Sequence, residues 1–312
     1  MILIKKNTTY HLAHLYEHLF CTAIHELCHK NELFAYLDYA IIGHAYKGFL
    51  YVEMQLYTSK AKRLAKQIPT LDIDLSKASL LIALAQILAE EERRFESQSI
   101  EAIKNALREM HQETWQNIND IDITDMRDVH SEPGVFYAKT EKLPPATKLG
   151  ITLALDPDFA TTHRRLLPLF QQLATLMLIN IDTDIAYAYG YYRLGAEGAA
   201  VTPHSLTSKL KIASGTAVDM SELLEAALDA AFYLINYDAL DRMAAQLGNA
   251  VSTDAYPSPD LRVLFKNTLL LVGAKGWKAI ATEENTRLIQ DKMTITLEYN
   301  GKILNRSLFN NH

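Results

Sequence analysis

His14-Leu15-Tyr16-Glu17-His18 sets two imidazoles four residues apart, with a carboxylate directly before the second. On a helix such residues share one face, one turn apart, so both rings can reach a single ion. Zinc held by three protein groups keeps a fourth position for water, whose pKa falls to about 7. A neighbouring carboxylate then removes the proton of that water and passes it to a leaving amine, and Glu17 has the position for this. The same region holds 6 of the 11 histidines, all within the first 44 residues. His25-Glu26-Leu27-Cys28-His29 is a second pattern, a literal H-E-x-x-H in which Glu26 would be the base. Neither the Gly and His of one zinc-protease class nor the Asn-Glu helix of another accompanies it, so it reads as a structural histidine pair.

The H-x-x-E-H order is the inverzincin arrangement. With its flanks, His11-Leu-Ala-His14-Leu-Tyr-Glu17-His18-Leu-Phe20 resembles the core motif of the pitrilysin-like zinc peptidases. Gly43-His44-Ala45-Tyr46 is similar to the family's strand entry, with His in place of Asn, and Asp184-Ile-Ala-Tyr187-Ala-Tyr189-Gly190 is similar to a strand of its second half. The resemblance implies that His14 and His18 are metal ligands and Glu17 the general base. It implies a third ligand on a later Glu-rich helix. Ala106-Leu107-Arg108-Glu109 makes Glu109 the leading choice, Glu101 the auxiliary carboxylate, and Glu96 the ligand if 60–76 is not an insertion. His44, Ala45 and Tyr187 take substrate-binding places. Two departures stand out: a single short segment precedes the metal helix, and Asn180 stands where the family carries an Arg.

These residues need elements to position them. Leu12, Leu15, Leu19, Ile24 and Leu27 recur at helical spacing between about Tyr10 and Leu37, after an opening strand in Met-Ile-Leu-Ile-Lys-Lys. Residues 46–57 alternate as a strand does, 60–76 read as a loop or insertion, and 77–115 are helical again. The charge run 90–94 suits a solvated helix face. A Pro-, Gly- and Asp-rich stretch over 120–145 reads as a linker, with an edge strand possible at 135–137. Beyond it the pattern gives a strand at 149–155, a helix at 161–179 and strands at 185–194 and 206–213. Helices at 221–250 and 259–273 and a last strand at 293–299 complete it. The expected fold class is α+β, with two similar subdomains, each a mostly antiparallel sheet packed against helices. The expected division is a metal-site domain over 1–135 and a second domain over 136–312.

Composition narrows the function further. The 312 residues are 49% hydrophobic and 22% charged, an ordinary globular balance that excludes disorder and low-complexity classes. With 31 basic against 37 acidic side chains and no long basic run, nucleic acid is not an expected partner. No apolar stretch is long enough for a membrane span. Two cysteines, Cys21 and Cys28, fit a reducing compartment, so a cytoplasmic location is expected.

The leading expectation is a zinc-dependent endopeptidase acting on peptides or small unfolded proteins, in which Glu17 activates a zinc-bound water. A chain of this length matches one half of a two-half peptidase. A homodimer, or a heterodimer with a second half whose Tyr187 counterpart faces the zinc, is therefore expected. The alternative is a catalytically inactive family member serving as a structural or partner-binding subunit.

Overall fold

The computed structural model describes residues 1–6, 10–35, 38–46, 49–91, 96–97, 99–116, 136–137, 146–189, 192–213, 219–234 and 275–307. The chain is α+β and divides into two compact units, one over Met1–Phe34 and Asp38–Pro144, the other over Ala35–Leu37 and Pro145–His312. No helix among the described residues is long and apolar enough to cross a membrane.

In the first unit, β1 (Ile2–Lys6), β2 (Tyr39–Tyr46) and β3 (Phe49–Leu56) form an antiparallel sheet in the order β1-β3-β2. Helix α1 (Tyr10–Lys30) packs on one face of it. Leu12, Leu15, Leu19 and Ile24 are buried, as their spacing requires. The helix stops where Glu32 takes a φ of 52°. There Leu33 N–H donates to Cys28 C=O at 3.0 Å and Glu32 N–H to His29 C=O at 2.8 Å, the paired bonds of a Schellman cap. The segment read as an insertion folds into α2 (Ser59–Leu64), capped by the Thr58 hydroxyl, and a 3-10 turn at Ile68–Thr70. The helical stretch expected over 77–115 is two helices, α3 (Lys77–Glu91) and α4 (Ile100–Gln112). Between them Glu96–Ser97 (β4) pairs in parallel with Phe136–Tyr137 (β5), and Ser99 caps α4.

The lower end of α4 is held by a buried cation. Lys5 Nζ donates to the carbonyls of Met110 at 3.0 Å, His111 at 3.1 Å and Glu113 at 2.6 Å. It also lies 5.1 Å from the ring centroid of Tyr16 and 4.7 Å from that of Trp115. These carbonyls carry the negative end of the helix dipole, and the ammonium answers it. Burial lowers the Lys5 pKa to about 8, against the opposing pull of Glu113.

In the second unit, β6 (Ala146–Leu155), β7 (Tyr192–Thr202), β8 (Ser205–Ala213), β9 (Met293–Tyr299) and β10 (Lys302–Ser307) form an antiparallel sheet ordered β10-β9-β6-β8-β7. Helices α5 (Pro157–Thr162), α6 (Leu167–Tyr189), α7 (Met220–Leu234) and α8 (Glu283–Gln290) accompany it, as does a short helix over 275–280, with α6 and α7 packed together. Residues 185–189, expected to open a strand, are the last turn of α6. No Gly or Pro lies between Pro168 and Gly190 to end that helix, and β7 begins at Tyr192. Tyr187 is therefore a helical residue whose side chain lies outside the described residues. Asn180 is buried, its Oδ1 accepting from Ala35 N–H at 3.0 Å and its amide donating to Leu176 C=O at 2.9 Å. The linker stretches 120–135 and 138–145 and the expected helices at 235–250 and 259–273 lie outside the described residues.

Candidate metal centre

On α1, residues 14, 17, 18 and 21 fall on one flank by helical spacing, and Tyr16 and Phe20 on another. The second flank is structural: Tyr16 stacks on Phe20 at 5.9 Å, and its hydroxyl bonds His111 Nδ1 at 2.9 Å. The first flank carries chemistry. The Nε2 atoms of His14 and His18 lie 3.2 Å apart, and Glu17 Oε2 is 3.9 Å from the first and 4.0 Å from the second. Each of the three side chains is between 11% and 13% exposed, which leaves the group reachable but mostly desolvated.

This donor set fits zinc. Two imidazole nitrogens at about 2.0–2.1 Å from a tetrahedral ion stand about 3.3–3.4 Å from each other. The observed 3.2 Å agrees with that bite. Glu17 Oε2 faces the same space from further off, at 3.9 and 4.0 Å from the two nitrogens. His18 Nδ1 bonds Oε1 of Gln86, from α3, at 3.0 Å. An amide oxygen accepts, so Nδ1 carries the hydrogen and His18 Nε2 presents its lone pair to the site. Nothing in the local sequence around the motif signals Gln86, which lies 68 residues beyond His18.

The second oxygen of Glu17 has different neighbours. Cys21 Sγ lies 3.4 Å from Glu17 Oε1 and donates to it. Burial, and then the Glu17 carboxylate, push the Cys21 thiol well above its usual pKa. Gly43, in the middle of β2, meets the same carboxylate: a Cβ built there would lie 2.6 Å from Glu17 Cδ and 2.7 Å from Cγ, and would overlap Oε1.

Among the described residues, His14, Glu17 and His18 are the group of potential ligands that gathers within reach of one ion. Glu109 is exposed on α4, and Glu101 is exposed and paired with Lys104 at 3.6 Å; neither joins the group. The side chain of Glu96 lies outside the described residues. His44 and Ala45 follow Gly43 on β2, and strand alternation puts the exposed His44 side chain on the face opposite the one Gly43 turns to Glu17. The rival motif does not assemble. His25 Nδ1 bonds the Tyr39 hydroxyl at 3.0 Å, with burial lowering the His25 pKa to about 4, while His29 is exposed and Glu26 faces Lys30 at 3.9 Å.

No family model matches the chain, and no curated protein matches it. Several solved structures are similar to it at a low level. The inactive domain of a peptidase M16 from Pseudomonas fluorescens has 15% identity, with 95% of this chain and 91% of that chain covered, at a TM-score of 0.26. The periplasmic protease PqqL from Escherichia coli has 10% identity, with 93% and 44% covered, at a TM-score of 0.26. Pitrilysin has 12% identity, with 97% and 42% covered, at a TM-score of 0.20. The chain thus spans less than half the length of the last two.

Proposed function

We propose that the chain is a zinc-dependent endopeptidase in which His14 and His18 hold the ion and Glu17 is the general base. The observation that carries this reading is the convergence of two Nε2 atoms at 3.2 Å, with Glu17 Oε2 facing both. Zinc, when bound, supplies a Lewis acid that brings the pKa of water to about 7 and polarises a peptide carbonyl. Glu17 Oε2 accepts a proton there and returns it to the departing amine. Its sparing exposure keeps competing bulk water away and strengthens its electrostatic influence.

The substrate side follows from topology. Among the described strands β2 is an edge of its sheet, and through Gly43 it runs directly against Glu17. An extended peptide added to that edge gains main-chain hydrogen bonds with little demand on sequence. The third protein ligand is proposed among Glu96, Glu101 and Glu109, and a second half, from a homodimer or heterodimer, to close over the substrate with its Tyr187 counterpart. Zinc counting on Glu→Gln variants at the three positions identifies the ligand.

The test is peptide hydrolysis by zinc-loaded wild type and Glu17→Gln. Loss of hydrolysis with zinc retained supports the reading; equal rates overturn it. A second reading, an inactive partner-binding subunit, is favoured by the exposure of Glu101 and Glu109 away from the histidines. It predicts a stable protein complex and no hydrolysis by wild type.

A further inference from the structure

The two oxygens of Glu17 are treated differently by their surroundings. Oε2 faces the imidazoles at 3.9 and 4.0 Å. Oε1 receives the Cys21 thiol at 3.4 Å and lies over the bare Cα of Gly43. Gly43 is not among the residues with a positive φ, and it sits in regular pairing opposite Val52, so its backbone does not require glycine. What requires glycine is the carboxylate: any Cβ would occupy its space.

We propose that Gly43 and Cys21 form a seat that fixes the Glu17 carboxylate, anchoring Oε1 and leaving Oε2 as the working oxygen. Both are positioning residues, acting on the reaction through Glu17. Gly43 supplies the room, from a strand; Cys21 supplies the donor, one helical turn beyond Glu17 on the same flank. A thiol is a weak donor, and its contact orients Oε1 while leaving Oε2 on the imidazole side. Steric confinement by the strand does the rest. The strand proposed to receive substrate is thereby the strand that sets the base, which ties the position of the peptide to that of Oε2. This inference rests on the peptidase reading for its kinetic consequence and on the geometry alone for its structural one.

The structural consequence is tested by infrared spectroscopy in the S–H stretching region. The wild-type spectrum minus that of Cys21→Ala isolates the Cys21 band, and the same subtraction is made in a Glu17→Ala background. The band is expected at lower frequency when Glu17 is present; an unchanged band overturns the seat. The kinetic consequence is tested with Gly43→Ala, Cys21→Ser and Cys21→Val. Gly43→Ala is expected to keep its zinc and its KM while kcat falls by about 100-fold, the usual result of displacing a reacting group by an ångström. Cys21→Ser, which keeps a donor, is expected to retain more activity than Cys21→Val, and equal kcat in all four proteins overturns the proposal. If wild type hydrolyses no peptide, the peptidase reading fails, and the infrared comparison still decides the seat.

Discussion

The Nε2 atoms of His14 and His18 approach to 3.2 Å, while His18 Nδ1 is occupied by Gln86. With the hydrogen of His18 on Nδ1, a metal-free pair is held together by His14 Nε2–H donating to His18 Nε2. For both Nε2 atoms to hold an ion, the His14 hydrogen moves to Nδ1, which leaves each Nε2 with a lone pair to offer. Wild type is therefore expected to bind one zinc per chain through this pair. His14→Ala and His18→Ala each lose it, and His29→Ala keeps it, as atomic emission on dialysed protein will show. Chelation is expected to lower wild-type stability by about 2–3 kcal/mol at zinc concentrations near 100 times Kd, and to leave His14→Ala unchanged.

Gln86 is expected to matter for affinity without touching the ion. Gln86→Leu removes the acceptor from His18 Nδ1 and frees the ring to rotate or to change tautomer. Zinc affinity then falls by about 10- to 100-fold, measured by competition with a chromophoric chelator. Gln86→Glu keeps an acceptor and is expected to hold affinity close to that of wild type. Equal affinity in Gln86→Leu would show that the contact orients nothing.

The helix of the site was legible because its signal is local. Leu12, Leu15, Leu19 and Ile24 recur at helical spacing and are buried, so His14, Glu17 and His18 had to share a flank. Likewise, the alternation over Phe49–Leu56 marked β3. What was not legible depends on how elements meet. Gln86 reaches His18 across 68 residues, and no pattern around either position announces the pair. Gly43 looked like a strand entry, whereas register with Val52 turns it toward α1 and gives it a steric task. Tyr187 and Tyr189 alternate as strand residues do, yet a breaker-free run from Pro168 to Gly190 keeps them helical. Glu109 is read as a ligand from its flanking residues, which carry no information about the way α4 faces, and its side chain is exposed on that helix.

His25 gives a pH dependence of stability. Its folded pKa, about 4, lies below the ordinary 6.5 because burial disfavours the imidazolium. Between these values the unfolded chain takes up a proton that the folded chain refuses, so stability falls as pH drops from 6.5 toward 4. The loss attributable to this residue is up to about 3 kcal/mol. His25→Gln keeps a partner for the Tyr39 hydroxyl and cannot titrate, so urea unfolding of this variant is expected to show a shallower decline over the same window. Parallel declines would assign the acid sensitivity to other groups.

Lys5 tests the other flank of α1 independently of the metal site. Its ammonium serves three carbonyls at the end of α4, and Tyr16 and Trp115 cover it. Lys5→Met matches the length and apolar stem but leaves those carbonyls without their shared donor. The Met110 carbonyl still accepts from Glu113 N–H at 3.3 Å, so the loss falls on the part-buried His111 and Glu113 carbonyls, at about 1–3 kcal/mol for each left without a partner and less where water relieves it. A net loss of about 2–4 kcal/mol in urea unfolding is expected, offset in part because the buried charge no longer has to be desolvated. Lys5→Arg is expected to do little better, since a planar fork cannot direct its hydrogens at three carbonyls converging on one point. Zinc content should be unaffected in both variants, because Lys5 acts on the Tyr16 flank of the helix and the histidines occupy the other. Loss of zinc together with stability would mean that the packing of α4 on the Tyr16 flank sets the position of the histidines as well.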